Sequence, residues 1–428
     1  MILLFLTTHL VYSRPDGRGG TIKYYYSDSI TWTVAALAIA WIIWFFVRRY
    51  LRARAMRRRP RRTNYKLLRR IARIKNELSS QYLRPGFSNN IHAIGIGTLG
   101  RFDEYCIQVF INDAAQELWA GSGAAALPAS YRAVPLILVE MPLAAFLSEA
   151  DSSAPPRNPY PAGIRNQQDV IIGGISAANS NLAGQSGTLG YFCLRKRKFM
   201  NRSEIHLLSN SHVLADLRKA KPDDTDLIMQ PSPGEPGNNR PIGALVSFSP
   251  LKFDDGETNE PNHIDAAIAR LWESHPHQTL IPMIGAVKGY IEKKNIEIGE
   301  AARKFGRTTG YTEGSVFSIY LDIWIWYDRT GKSAFFKNQI LIAPDSPAFS
   351  KFVAKGDSGS LVVDAQQHAL GLIFGGVVEA RDSLTPAPKA ETNQRSDPSI
   401  SPPQRIDGYG VANPISEVLD RLKVELAV

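Results

Sequence analysis

Residues 355–360 of this chain read Lys-Gly-Asp-Ser-Gly-Ser and are followed at once by an apolar run. A serine hydroxyl attacks a carbonyl only when a base removes its proton and donors hold the oxyanion that forms. Glycine takes backbone angles that other residues avoid and lets a substrate approach the main chain closely. The stretch therefore indicates a turn that aims the Ser358 hydroxyl at a carbonyl, although Gly, Asp and Ser also build ordinary turns.

A serine nucleophile needs a base, and the chain has eight histidines to supply one. His212 stands in residues 207–214, which read LLSNSHVL, with small residues just before it and apolar residues on both sides. This pattern predicts a histidine at the end of a core strand, with room for a substrate beside its ring. His206 lies inside the same strand, where a core or surface role is the better interpretation.

An acid is needed to orient the histidine, and Asp265 heads the apolar residues 266–269. A buried carboxylate requires a partner, and an imidazole N–H would serve. The alternative interpretation of Asp265 is a polar residue in a strand-entry turn. The nearby His263 is interpreted as a polar neighbour.

The chain order His212, Asp265, Ser358, together with the Gly-Asp-Ser-Gly motif, resembles the chymotrypsin-like (trypsin-like) serine peptidases. The resemblance covers roughly residues 170–426 and implies two six-stranded β-barrels with the site between them. It implies that His212 acts as general base and then acid, and that Asp265 fixes its tautomer. The N–H groups of Gly356 and Ser358 would form the oxyanion hole. Such chemistry uses no metal and no cofactor.

The same resemblance suggests a substrate pocket without charge. By spacing, Phe352 falls where trypsin carries the acid that selects Arg or Lys. Phe374, Gly375 and Gly376 match the edge strand that lines the pocket. We therefore expect a small or apolar residue before the cut and no preference for basic residues.

Two other stretches invite comparison with this family. Residues 306–310 (GRTTG) are similar to the segment that opens the second barrel in a bacterial and plant subset, so Arg307 is expected to be structural. Residues 171–174 (IIGG) look like the N-terminus that is created when secreted zymogens are clipped. Because no tryptic site precedes them, we interpret these residues as a first barrel strand.

The elements around these residues are mainly β. Short β-type runs broken by Gly, Pro and Asn follow residue 170, and a helix is expected at 415–426. Residues 85–150 predict a small α/β domain with strands near 91–97, 105–111 and 131–139. The predicted organisation comprises six segments: an N-terminal tail (1–29), a transmembrane helix (30–47), a basic juxtamembrane helical segment (48–84), the α/β domain (85–150), a linker (151–169) and the peptidase domain (170–428).

A membrane anchor is predicted because residues 30–47 carry no charge over 18 positions. A helix of that length covers about 27 Å, just enough for a bilayer core. The arginines begin at Arg48, directly after the apolar run, and positive residues flanking a span stay in the cytoplasm. We therefore expect a single-pass membrane protein whose catalytic part is cytoplasmic.

The charge distribution excludes a general nucleic-acid platform. The formal net charge is +10, but 14 Lys and Arg lie between Arg48 and Lys75, and removing them leaves −4 for the rest of the chain. The basicity thus belongs to one short segment rather than to a binding face. Two cysteines, Cys106 and Cys193, make no disulfide framework.

Two functions fit these observations. The first is a membrane-anchored serine endopeptidase that acts on a protein or peptide substrate. The second is a peptidase-fold protein that does not use its site and serves as a peptide-binding or scaffold module through its β-edges.

Overall fold

The structure is a computed structural model that describes most of the chain in thirteen stretches and two isolated positions. The described residues are 8–15, 21–27, 40, 43, 65–83, 91–100, 104–111, 127–146, 162–182, 184–196, 203–217, 226–256, 260–345, 349–377 and 406–428. They fall into two compact units, Met1–Arg57 and Arg58–Val428.

The first unit contains an antiparallel pair of strands, β1 (Thr8–Pro15) and β2 (Thr21–Ser27), within the predicted N-terminal tail. The predicted membrane span, residues 30–47, lies outside the described residues apart from positions 40 and 43. Within the described stretches, no helix combines the length and the apolar character that a bilayer crossing requires.

The second unit is built mainly from strands, as the sequence predicts. Its helices are α1 (Tyr65–Tyr82), α2 (Ser211–Leu214) and α3 (Ile415–Leu422), with 3-10 turns at Ala162–Arg165 and Lys293–Asn295. Its strands are β3 (Ile91–Thr98), β4 (Tyr105–Ile111), β5 (Ser130–Tyr131), β6 (Val134–Glu140), β7 (Ala145–Phe146), β8 (Ala178–Asn179), β9 (Tyr191–Lys196), β10 (Ser203–Ser209), β11 (Leu227–Gln230), β12 (Arg240–Phe248), β13 (Ala267–Leu271), β14 (Gly289–Tyr290), β15 (Ala301–Gly306), β16 (Gly310–Tyr327), β17 (Lys332–Pro344), β18 (Leu361–Val363), β19 (His368–Gly376), β20 (Gly410–Pro414) and β21 (Glu425–Leu426).

A seven-stranded antiparallel sheet carries the first two predicted site residues. Its strand order is β21-β9-β10-β13-β12-β11-β8. The helical turn α2, which contains His212, starts two residues after β10 ends, and Asp265 lies two residues before β13 begins. Since β10 and β13 are antiparallel neighbours, the end of one strand meets the start of the other.

A second sheet closes into a six-stranded barrel next to the predicted nucleophile. The strands run β15-β18-β19-β20-β17-β16, and pairing of β15 with β16 completes the ring. Ser358 lies in the turn that leads into β18. The predicted mainly β fold is confirmed, and this closed ring matches one of the two expected six-stranded barrels. The other sheet differs from the expectation: among the described residues it has seven strands, and its end strands β21 and β8 do not pair.

Strands β3 to β6, in the predicted α/β domain, extend this second sheet instead of forming one of their own. Strand β16 is 18 residues long; its first residues pair with β15, and residues farther along pair with β3. Beyond β3 the sheet continues through β4, β6 and β5, and β4 and β6 are parallel. The boundary predicted between residues 85–150 and the peptidase part therefore falls inside one sheet and one compact unit.

Residues 171–174 do not form the predicted first barrel strand. Ile171 makes one isolated bridge to His277, and the chain then turns. Gly174 has φ +85°, and a Cβ there would lie 2.8 Å from the ring of Phe305. The two glycines thus allow a tight turn against the barrel core, which explains why the apolar start of the motif does not continue as a strand.

The helix α1 lies within the predicted helical segment 48–84 and packs on β3 and β4 through an apolar stripe. Leu68, Ile71 and Leu78 are buried along this stripe, and so is Lys75. The Lys75 ammonium lies 2.8 Å from Asp322 Oδ2 in β16, and both side chains are fully buried. Burial lowers the pKa of Lys75, and the charge of Asp322 opposes that shift. The pair ties α1 to the long strand of the barrel.

Replacing one partner of this ion pair should destabilise the protein strongly. In Lys75→Met the Asp322 carboxylate stays buried without its cation, so we expect the free energy of unfolding to fall by about 3–5 kcal/mol. The double variant K75M/D322N should regain much of this loss, because an amide still accepts the 3.0 Å bond from the Asn338 N–H.

Denaturant titration followed by tryptophan fluorescence measures these changes. The control is Lys66→Met, on an exposed position of the same helix, which should change stability by less than about 0.5 kcal/mol. Equal losses in Lys75→Met and Lys66→Met would contradict the assigned role.

Candidate active site

His212 and Asp265 meet in the structure as the sequence predicts. The His212 Nδ1 atom contacts Asp265 Oδ2 at short range, and the His212 backbone N–H donates to Asp265 Oδ1 at 3.2 Å. The α2 turn is held in place by the Ser211 hydroxyl, which donates to the carbonyls of Ser249 and Ala266 at 2.9 Å each. The carboxylate therefore faces both the ring and the backbone of the same histidine.

Asp265 is fully buried, and amide side chains hold its backbone. The Asp265 N–H donates to Asn413 Oδ1 at 2.9 Å, and Asn210 Nδ2 donates to the Asp265 carbonyl at 2.7 Å. Asn413 Nδ2 in turn donates to Gln339 Oε1 at 2.7 Å. Asp265 does lie just before a strand, as the alternative interpretation expected. Its backbone is also bonded by Asn210 and Asn413, which come from the two different sheets.

A residue that the sequence did not indicate, Tyr327, completes the surroundings of this carboxylate. Its hydroxyl donates to Asp265 Oδ2 at 2.9 Å. Tyr327 ends β16, at the far end of an alternating strand, where nothing in the local sequence distinguishes it from other buried aromatic residues. Only the pairing of distant strands brings it to Asp265.

The Ser358 loop is bonded to the lobe that carries His212. The Thr188 N–H donates to the Ser358 carbonyl at 2.8 Å, and the Thr188 hydroxyl donates to the Gly356 carbonyl at 2.8 Å. Ser209, three residues before His212, donates its hydroxyl to the Thr188 carbonyl at 2.7 Å. Thr188 therefore joins the Ser358 loop to the end of β10, while the Ser358 hydroxyl lies 3.5 Å from the Phe374 carbonyl.

Gly359 permits this close approach of the two lobes. Its φ is +95°, and a Cβ there would lie 2.1 Å from both the Ser209 Oγ and the Thr188 carbonyl oxygen. No side chain fits in that space. The second glycine of the motif is thus required by the contact between lobes as well as by its backbone conformation.

Asp357, the acid of the motif, fixes the other side of the loop. Its Oδ1 accepts from the N–H groups of Thr308 and Thr309 at 3.0 and 3.1 Å. Its Oδ2 lies 3.1 Å from Lys304 Nζ and accepts from the Ala354 N–H at 3.0 Å. Burial lowers the pKa of Lys304, and the charge of Asp357 opposes this effect.

Residues 306–310 are the segment that wraps around Asp357. A Cβ at Gly306 would lie 2.3 Å from Asp357 Oδ1, so glycine is required there. Arg307 has the structural position expected from the sequence: its Nη2 lies 2.6 Å from Glu235 Oε1, and both side chains are almost fully buried. The GRTTG stretch therefore supports the loop that contains Gly356 and Ser358.

The predicted pocket residue Phe352 is a core residue in this structure. Its ring is fully buried, and Lys304 Nζ lies 5.7 Å from the ring centroid. Cβ atoms placed at Gly314 and Gly410 would lie 2.9 and 3.0 Å from the ring. The phenyl group thus fills the space between these two glycines and leaves no open pocket at that position.

The predicted edge of the pocket is paired with a segment of the chain itself. Gly375 and Gly376 are register partners of Phe146 and Ala145 in the antiparallel pair of β19 and β7. On its other side β7 pairs with β16, where the Trp326 N–H donates to the Ala144 carbonyl at 3.0 Å. Strand β7 therefore lies between β16 and the edge that the resemblance assigns to substrate.

The site is closed in this conformation. Ser358 and Asp265 are fully buried, and His212 is 2% exposed. Phe374 is buried in the cluster that also contains Met141 and Ala144, and it packs 4.6 Å from Phe336 between ring centroids. The three candidate triad side chains are therefore shielded from solvent in this conformation.

The other candidate side chains have local roles. His206 Nδ1 lies 3.0 Å from the Glu204 carbonyl within β10, which agrees with its predicted place inside the strand. The His263 carbonyl accepts a 3.0 Å bond from Gln339. Among the residues that the structure describes, no three His, Cys, Asp or Glu side chains cluster as metal ligands.

No family model and no curated protein matches the chain. Solved structures that the chain resembles include serine proteases. Thermobifida fusca protease A is 14% identical over 60% of this chain and 98% of its own, with a TM-score of 0.36. Nocardiopsis protease is 15% identical over 60% and 99%, with a TM-score of 0.34. Cellulomonas bogoriensis chymotrypsin is 14% identical over 60% and 97%, with a TM-score of 0.32. At these values the likeness carries no argument about activity.

Substitution of Gly359 should separate steric cost from backbone strain. Gly359→Ala places a methyl group against the Thr188 carbonyl, which cannot move freely, so we expect a loss of about 2–4 kcal/mol in unfolding free energy. Gly237 has a nearly identical φ of +97°, but no atom lies within 4 Å of a Cβ there. Gly237→Ala should therefore cost only about 1 kcal/mol.

Thermal or denaturant unfolding of the two variants makes the comparison. Losses of the same size at both positions would show that the contact between Gly359 and Thr188 contributes nothing beyond the backbone conformation.

Proposed function

We propose that this protein is a serine endopeptidase that hydrolyses peptide bonds through an acyl-enzyme intermediate. The observation that carries the proposal is the buried contact between His212 Nδ1 and Asp265 Oδ2, at the strand end to which Thr188 bonds the Ser358 loop. A buried imidazole with one nitrogen on a carboxylate is held in the tautomer that leaves the other nitrogen able to accept a proton.

In the proposed reaction Ser358 Oγ attacks the scissile carbonyl while His212 Nε2 takes the hydroxyl proton. The oxyanion that forms is held by the N–H groups of Gly356 and Ser358. His212 then gives its proton to the leaving amine, and the C–N bond breaks to leave an ester on Ser358. A water molecule attacks this ester by the same route, with His212 again as base, and releases the acid product.

The closed conformation is part of the proposal. An extended peptide bound at Gly375 and Gly376 would need the backbone groups that now pair with Ala145 and Phe146. We propose that β7 must leave this edge before a substrate binds. The activity of the full chain is therefore lower than that of a form in which β7 is displaced.

The closed cleft also favours the second candidate, a peptide-binding or scaffold module with an unused site. In that case β7 would be a permanent strand of the sheet, and Ser358 would never meet a substrate. The two candidates differ in whether an electrophile ever reaches the Ser358 hydroxyl.

A fluorophosphonate probe tests the nucleophile directly. The wild type should be labelled and Ser358→Ala should not, and either Ser358→Ala or His212→Ala should reduce peptide turnover about 10⁴- to 10⁶-fold. Ser360→Ala is the control, since its hydroxyl donates to the Asp357 carbonyl at 2.6 Å within the same loop. Equal labelling of the wild type and Ser358→Ala would end the proposal.

The same labelled samples test the predicted anchor. If residues 30–47 span a membrane, the labelled chain should be recovered in the membrane fraction. Recovery in the soluble fraction would contradict the anchor while leaving the peptidase proposal intact.

A reversible crosslink tests whether β7 blocks the site. Positions 145 and 376 are register partners, and such pairs lie about 4.5–5.5 Å apart between Cα atoms, within disulfide range. In A145C/G376C we expect probe labelling to be lost on oxidation and restored on reduction. The single variants should label equally in both conditions.

The native cysteines should not interfere with this test. Burial raises the pKa of Cys106 to about 11 and raises that of Cys193 further, so both remain unreactive thiols. Labelling that is the same in the oxidised and reduced double variant would show that β7 does not control access.

A further inference from the structure

The Asp265 carboxylate receives three hydrogen-bond donors, and one of them belongs to neither of the other two candidate triad residues. Oδ1 accepts from the His212 N–H at 3.2 Å, and Oδ2 contacts His212 Nδ1. The third donor is the Tyr327 hydroxyl, 2.9 Å from the same Oδ2 atom. The oxygen that orients the imidazole is therefore shared between a ring nitrogen and a phenol.

The Tyr327 side chain is held firmly where it makes this bond. It is 1% exposed, and its ring stacks on Phe336 at 6.5 Å and meets Phe253 edge-on at 5.4 Å between centroids. Its carbonyl accepts from the N–H groups of Thr330 and Gly331 at 3.1 and 3.0 Å in the turn after β16. The hydroxyl can therefore leave Asp265 only if the end of the β16–β17 hairpin moves.

Tyr327 stays protonated and can therefore donate its hydroxyl hydrogen to Asp265. Burial raises the pKa of its hydroxyl well above 10, and the negative charge of Asp265 adds to the shift. The phenol thus keeps its proton throughout the pH range in which a histidine acts as a base. It can share the charge of Asp265 but cannot replace the carboxylate as an acceptor.

The same ring also contacts the histidine. The Tyr327 and His212 rings lie 6.1 Å apart between centroids, with their planes 77° apart. Tyr327 therefore limits rotation of both members of the pair, through a hydrogen bond to one and an edge contact with the other. Without Tyr327 both remaining donors to the carboxylate belong to His212, whereas the Tyr327 hydroxyl holds Oδ2 from a second element of the fold.

We propose that Tyr327 is a positioning residue that holds Asp265 Oδ2 against His212 Nδ1. This inference rests on the proposed peptidase function. Tyr327 is buried and does not meet the reacting atoms, so its effect acts through Asp265 and His212.

The test is Tyr327→Phe, which removes one hydroxyl and keeps the ring. We expect kcat to fall about 10- to 100-fold, as for loss of a hydrogen bond to a charged group, while KM stays unchanged. Tyr191→Phe is the matched control: its buried hydroxyl also makes two bonds, to Thr279 and Val287, but neither bond involves the candidate triad. It should leave kcat unchanged at a similar cost in stability.

A spectroscopic readout separates positioning from a structural role. In the Ser358→Ala background, the proton on His212 Nδ1 can be followed by NMR without any turnover. Removal of the Tyr327 hydroxyl leaves Oδ2 with more charge for its remaining donor, so the resonance should move downfield. Tyr191→Phe should not move it.

The outcomes are distinct. A resonance that stays in place in Tyr327→Phe would overturn the inference, whatever happens to turnover, and so would an equal loss of kcat in Tyr191→Phe. If the wild type is neither labelled nor active while the resonance still moves, the peptidase proposal fails and the hold of Tyr327 on Asp265 and His212 stands.

Discussion

The burial of the Asp265 carboxylate is the constraint that brings the α2 turn, the end of β16 and β20 together. A carboxylate taken out of water is stable only when donors surround it. Here the donors come from the α2 turn and from the end of β16, and Asn413 from β20 holds its backbone. These segments are far apart in the chain, so the acid becomes satisfied only after both sheets have formed and met.

A second buried acid, Asp357, gathers hydrogen-bond donors around the Ser358 loop. Its donors come from Lys304 in β15, from the turn at Thr308 and Thr309, and from the loop itself. Thr188 then bonds this loop to the strand end before His212. Each half of the candidate site is thus organised around one carboxylate, and one threonine connects the halves. Loss of either set of donors would therefore shift Ser358 or His212, although neither residue is itself changed.

The parts of this arrangement that follow from short-range pattern were predictable from the sequence. The flanks of His212 and Asp265 indicated a strand end and a strand start, and the two side chains are in contact. A helical segment was expected at 48–84, and α1, with Leu68, Ile71 and Leu78 buried, lies within it. Short apolar runs broken by glycine indicated a mainly β fold.

The features that could not be predicted from the sequence depend on pairing between distant strands. Tyr327 and Lys304 lie in ordinary β patterns, and only the ring of strands brings them to Asp265 and Asp357. Phe352 was placed in a pocket by spacing, yet the glycines at 314 and 410 leave room for its ring in the core. Strand β3 pairs with the part of β16 that extends beyond its pairing with β15. No local sequence pattern indicates that β16 is long enough for this.

The position of β7 has a consequence for any peptide that competes for the same edge. A strand tethered within the chain acts as a ligand at an effective concentration of about millimolar, set by the length of its tether. A free peptide must exceed that level or bind much more tightly, and its apparent affinity falls by the fraction of molecules in which the edge is vacant. Any event that frees residues 145 and 146 would thus raise the activity of the proposed peptidase without altering a group that performs the chemistry.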